Sequence, residues 1–176
     1  MTEHKTAELR RNINRLTEIG DLEEALVALE ALVAIDGESA FYYNKQGIIF
    51  ARRGNIGDAK AHFEKALALD PRLAQAHSNL GNIYRELDNL DQAIACYQRA
   101  IDCDPDYATA YHNLGVVYRQ KGDFQKAVEH LKQGTKLQRV MARRELAESS
   151  MGKKMPIAWV VIIAFSIAAL IYFIRR

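Results

Sequence analysis

Residues 74–107 read AQAHSNLGNIYRELDNLDQAIACYQRAIDCDPDY, and the rest of the chain is organised around copies of this stretch. Thirty-four residues further on, Leu80-Gly81 recurs as Leu114-Gly115, Tyr84 as Tyr118 and Ala93 as Ala127. Thirty-four residues back, Gly47, Phe50, Ala59, Phe63, Ala66 and Pro71 stand in the places of Gly81, Tyr84, Ala93, Tyr97, Ala100 and Pro105. Self-similarity at such a period marks a stack of supersecondary units, each too small to bury its own apolar face and each covering its neighbour.

The period, and the residues kept within it, resemble the tetratricopeptide repeat (TPR). That pattern has a large residue at position 4, Leu-Gly at 7 and 8, Tyr at 11, Ala at 20, an aromatic at 24, Ala at 27 and Pro at 32. In this register the repeats span 6–39, 40–73, 74–107 and 108–141. The third is nearly ideal, and the second departs at Gln46. The fourth has Leu131 at position 24, Gly134 at 27 and Arg139 at 32. The first is the weakest, with Asn12-Ile13 for Leu-Gly, Leu16, Leu29 and Gly37 at conserved places, but it keeps Ala25. The resemblance implies an all-α, right-handed solenoid of four helix-turn-helix repeats.

The turns agree with this reading. Gly20-Asp21, Gly54-Asn55, Asp88-Asn89 and Gly122-Asp123 separate helix A from helix B. Glycine supplies a left-handed helix end, and Asp or Asn accepts from free amides of the next helix. Asp70-Pro71 and Asp104-Pro105 stop helix B, because proline lacks an N–H and clashes with a preceding carbonyl. Helix A is expected over positions 2–14 and helix B over 18–31. Arg139 replaces that proline in the fourth repeat, so its last helix is expected to run on to about Ser149. Residues 142–149 would then cap the final apolar face, with a hinge at 150–155.

Beyond the hinge, Ile157 to Ile174 carries no charge. As a helix it spans roughly 27 Å, enough for a bilayer core. Pro156 suits a first helical turn, and Trp159 and Tyr172 lie where interfacial aromatics belong. A transmembrane helix over 156–174 is expected, with only Arg175 and Arg176 after it, as in tail-anchored proteins. Arg139, Arg143, Arg144, Lys153 and Lys154 on the near side outnumber these two, which places the repeats in the cytoplasm. The layout is similar to that of tail-anchored mitochondrial fission receptors. The more numerous and more regular repeats favour a bacterial inner membrane, with the mitochondrial outer membrane as the alternative.

Composition excludes several classes. The chain has 24 Lys+Arg and 22 Asp+Glu. Four of those cations, Lys153, Lys154, Arg175 and Arg176, flank the apolar segment, so the repeats themselves are slightly acidic and carry no global nucleic-acid footprint. The start, MTEHKTAELRR, has no apolar core of a secretory signal. Cys96 and Cys103 lie two helical turns apart, roughly 10.5 Å, too far for a disulfide. No phosphate loop, zinc spacing or nucleophile motif appears, so no enzyme, cofactor or metal is expected. His62, Cys96 and His130 share position 23, but successive repeats set them on the order of 10 Å apart, beyond metal bonds of about 2 Å.

The remaining candidate is the concave groove, which the resemblance assigns to helix A positions 2, 5, 6, 9, 12 and 13. It would be lined by Asn44, Lys45, Arg52, Asn79, Asn82, Arg85, His112, Asn113 and Arg119, with Arg10, Arg11 and Asn14 from the first repeat. Its cations outnumber Glu18 and Glu86, against the acidic balance elsewhere. The carboxylate clamp of chaperone-binding TPR domains is not reproduced in either register. Asn79 and Asn113 instead resemble the asparagine ladder of long TPR superhelices. An amide there can donate to and accept from an extended peptide backbone. An extended, acidic segment of a cytoplasmic protein is the expected partner, with no nucleic acid and the oligomeric state open. A structural subunit, bound through its convex face or its span, is the alternative. Lys132, Lys136, Arg139 and Arg143, at helical spacing, are a candidate lipid-facing basic stripe.

Overall fold

The computed structural model describes residues 2–152, and every element in it is helical. The helices are α1 (Thr2–Ile19), α2 (Leu22–Asp36), α3 (Ala40–Arg52), α4 (Ile56–Leu69), α5 (Ala74–Glu86), α6 (Leu90–Cys103), α7 (Ala108–Gln120) and α8 (Phe124–Gly152). A first compact unit ends at Leu137 and a second begins at Gln138. Among the described residues no helix is long and apolar enough to cross a membrane. The expected span, 156–174, lies outside the described residues.

The inter-helix turns follow their residue types. Gly20, Gly54 and Gly122 adopt φ of +90°, +80° and +81°, and Asp88 takes the same left-handed place at +56°. The Asp21 and Asn89 side chains then accept from the amides of Glu24 and Gln92, each at 3.4 Å, and Asp123 accepts from Lys126 at 3.1 Å. Asn55 makes no such bond. At the other turns, Asp70 and Asp104 accept from the amides of Arg72 and Asp106 at 3.0 Å, closing a bend around each proline. Helices α2 to α8 begin one residue earlier than the sequence suggests. At α3 the cause is visible: Ser39, just ahead of it, accepts from the Tyr42 amide at 3.3 Å.

Within the second and third repeats the packing is set by one glycine and the ring above it. A β-carbon on Gly47 would lie 2.6 Å from the Phe63 ring, and one on Gly81 would lie 2.7 Å from Tyr97. The glycine therefore lets helix B's aromatic lie directly on helix A. Phe63 and Tyr97 thus lie on the glycine of their own repeat and also reach the first helix of the next. Smaller groups fill the rest of each seam. Ala110, Leu114 and Val117 of α7 join Ala93, Tyr97 and Ala100 of α6 in one buried cluster. Leu80 and Ile83 of α5 do the same with Ala59 and Phe63 of α4. Burying a side chain of this size is worth about 1.5–3 kcal/mol, so the seams hold the stack together.

Helix α8 has no proline and no stop, and it runs to Gly152. On its first turns Phe124 is 67% and Val128 50% exposed.

Candidate functional site

The groove residues divide into amides that bind one another and cations, of which Arg10 alone is paired, to Asp36, among the described residues. The Asn79 Nδ2 donates to Asn44 Oδ1 at 3.0 Å, and Asn113 Nδ2 donates to Asn82 Oδ1 at 3.1 Å. The Tyr97 hydroxyl donates to the same Asn82 oxygen at 2.7 Å. These amides are therefore inter-repeat struts first, joining α3 to α5 and α5 to α7. Asn44 is buried, 4% exposed, whereas Asn79, Asn82 and Asn113 are half-buried. A primary amide has two N–H donors and an oxygen with two lone pairs, so Asn79 and Asn113 retain capacity for a ligand after making one bond each. Burial pushes the Tyr97 hydroxyl up to about 12, so it stays protonated and keeps donating.

Lys45 is the groove cation that burial perturbs. Its amine is pulled below the ordinary lysine value, chiefly by burial, with Glu18 opposing and Arg52 reinforcing the shift. It lies 5.5 Å from the Phe41 ring centre, and Arg10 lies over the same ring at 5.1 Å. Its nearest polar contact is the Thr17 hydroxyl at 3.5 Å. Arg10 is already paired to Asp36 at 2.6 Å. Together with Asn14, Ser39, Asn44, Asp70, Leu73 and Gln75, these residues line a pocket of about 550 Å³. Ser39, Asp70 and Leu73 were not among the expected lining residues. They belong to the turns ahead of helix A, and groove positions counted along helix A alone miss them.

The other cations are set apart from this pocket. Arg52 is exposed and its guanidinium reaches the α1–α2 turn, 3.5 Å from where a Gly20 β-carbon would be. Arg85 is half-buried near Tyr97, and Arg119 and His112 are exposed. Among the described residues, none of Lys45, Arg52, Arg85 and Arg119 has a carboxylate within 4.0 Å, the ion pairs elsewhere being Arg10–Asp36, Arg53–Glu23, Lys60–Glu64, Lys121–Asp91, Lys126–Asp123 and Arg144–Glu148. In the basic stripe, Lys132 and Lys136 belong to the first unit and Arg139 and Arg143 to the second, all four exposed.

Position 23 is occupied for packing. His62 lies 4.8 Å from Phe50 and 6.0 Å from Tyr43, and His130 stacks on Tyr118 at 5.4 Å with the rings 9° apart. Burial lowers the His130 pKa and raises the Cys96 thiol to about 11. Both cysteines are free. Among the described residues no three His, Cys, Asp or Glu side chains gather in a metal-binding group.

Comparison with known proteins bears on this architecture. Residues 72–139 match the family model described as Tetratricopeptide repeat, and residues 47–88 match the one described as TPR repeat. The stretch 47–139 is thus built of tetratricopeptide repeats. Among solved structures the chain is similar to the crystal structure of MamA, at 26% identity over 78% of this chain and 81% of that one, with a TM-score of 0.61. It is also similar to pilF of Pseudomonas aeruginosa, at 24% identity over 78% of this chain and 63% of that one, with a TM-score of 0.67. A third likeness is to a chain of the APC/C Cut9-Hcn1 hetero-tetramer, at 21% identity over 75% of this chain and 27% of that one, with a TM-score of 0.65. The last two show the fold alone. No curated protein matches the chain. A repeat array of this class presents its surfaces to protein partners.

Proposed function

We propose that this protein is a non-catalytic adaptor, tethered to a membrane by the apolar segment 156–174, whose groove holds an extended acidic segment of a cytoplasmic protein. The observation that carries the reading is the set of four groove cations without carboxylate partners, beside amides that keep hydrogen-bonding capacity. Asn79 and Asn113 would bind backbone, and Arg85 and Arg119, in equivalent places of adjacent repeats, would meet carboxylates through charge-assisted hydrogen bonds. The excess of cations ahead of segment 156–174 supports a cytoplasmic side for the repeats, and the regular repeats favour a bacterial inner membrane.

The test uses a labelled, extended Glu-rich peptide and its Gln-substituted counterpart. The full chain in detergent is expected to bind the acidic peptide, more weakly as salt rises. Exposed charge pairs are worth about 0–1 kcal/mol each, so Arg85→Glu with Arg119→Glu should weaken binding about tenfold, which corresponds to about 1.4 kcal/mol. Equal affinity for both peptides, or no change in the double variant, would refute the reading. The tether is tested separately. Removing residues 155–176 should move the protein from the membrane to the soluble fraction after a carbonate wash, with its helical circular dichroism retained. Retention on membranes would show that 156–174 is not the anchor.

A further inference from the structure

The pocket of about 550 Å³ lined by the first three repeats holds more hydrogen-bond donors than the fold uses. Asn44, on its wall, is only 4% exposed. Its oxygen accepts from Asn79 at 3.0 Å, but its own amide nitrogen has no partner among the described residues. Idle donors on so buried a side chain are uncommon, because buried polar groups are normally paired. No fully enclosed side-chain polar atom among the described residues lacks a partner. The Asn44 nitrogen therefore keeps some open surface, as its place on the pocket wall requires. Lys45, the next residue, is half-buried on the same wall. Its amine meets the Thr17 hydroxyl at 3.5 Å and the Phe41 ring, and no carboxylate lies within 4.0 Å among the described residues. Burial holds its pKa down, although Glu18 works against the shift. Arg10 stands over the same ring but is already paired to Asp36.

We propose that this pocket anchors one glutamate side chain of the bound segment, its carboxylate accepting from the Asn44 amide and the Lys45 amine and its methylenes lying against Phe41 and Leu73. The inference rests on the groove function proposed above and names the residue that carries its specificity. Two features select this occupant. Asn44 is bonded to Asn79, so a backbone held at Asn79 passes one hydrogen bond from the pocket, within reach of its own side chain. Asp70 also lines the pocket, with one oxygen accepting from the Arg72 amide at 3.0 Å. Its charge tolerates a single carboxylate beside Lys45 and opposes a doubly charged phosphate. A partly desolvated ammonium is screened less than an exposed cation, so Lys45 contributes more than the exposed Arg119.

The test uses a labelled, extended Gln-rich peptide with one central glutamate and an amidated C-terminus, against its all-Gln counterpart. The full chain in detergent should bind the glutamate peptide about tenfold more tightly, as a hydrogen-bonded charge predicts. Lys45→Met keeps the stem and removes the charge. It should erase that gain and leave the all-Gln affinity unchanged, with the urea midpoint held or raised because a desolvated charge is gone. Arg119→Ala should cost the glutamate peptide no more than about fivefold. No gain from the glutamate overturns the anchor, and so does a gain that survives Lys45→Met. A gain obtained only when a free C-terminal carboxylate replaces the glutamate also overturns it. In these cases the wider groove reading still stands if Arg85→Glu with Arg119→Glu weakens the Glu-rich peptide. Equal binding of Glu-rich and all-Gln peptides refutes the groove reading, and the anchor with it.

Discussion

Tyr97→Ala is expected to lower stability by about 3–5 kcal/mol, the range for removing a large buried aromatic. The residue is 0% exposed and its ring lies where a Gly81 β-carbon would be 2.7 Å away. No neighbouring side chain can refill that space, because glycine is already the smallest residue opposite it. The hydroxyl is a smaller part of the loss. It donates to Asn82 at 2.7 Å, and that oxygen still receives the Asn113 amide after truncation. Tyr97→Phe should therefore cost only about 0.5–1.5 kcal/mol. Urea titration of the full chain in detergent, followed at 222 nm, measures both. Because repeats are coupled mainly to their neighbours, Tyr97→Ala should also broaden the transition as the third and fourth repeats melt first. A loss below about 1 kcal/mol would mean that the ring is not the centre of its repeat.

The fold was legible because its determinants are periodic and local. Gly-Asp and Asp-Pro pairs mark the turns, and small and large residues recur at fixed offsets, so eight helices could be placed to within a few residues. The groove was legible only as a list of positions. Register says that Asn79 and Asn113 fall on helix A; it does not say that each amide reaches the next repeat. Those bonds depend on the side-chain distance between helices, a tertiary quantity. The same holds for Lys45, whose lowered pKa comes chiefly from burial, which spacing along the chain does not report. The exposure of Phe124 and Val128 is a third case. The missing proline signalled a long α8. Exposure of those two residues depends on what comes back to cover them, and no spacing rule encodes that.

The weak match of the first repeat has a physical account that can be tested in the third. Where later repeats pair glycine with a large side chain, the first pairs Ile13 with Leu29, 0% and 1% exposed in one cluster. The methyl groups have moved from helix B to helix A, and the space between the helices is filled from the other side. Gly81→Ile alone should be severely destabilising, since a bare β-carbon would already stand 2.7 Å from the Tyr97 ring. Overpacking typically costs 1–3 kcal/mol, and a rigid ring held on both sides should bring the loss to about 3 kcal/mol or above that range. Tyr97→Leu alone should cost less than Tyr97→Ala, because most of the volume is kept. The double variant Gly81→Ile with Tyr97→Leu copies the first repeat's arrangement. It should regain about 1–2 kcal/mol relative to the sum of the two single losses, within the coupling range of contacting residues. Urea midpoints of the four proteins complete the cycle. A coupling near zero would show that the two seams are not interchangeable, and that the first repeat owes its packing to its neighbours and not to the Ile13–Leu29 exchange.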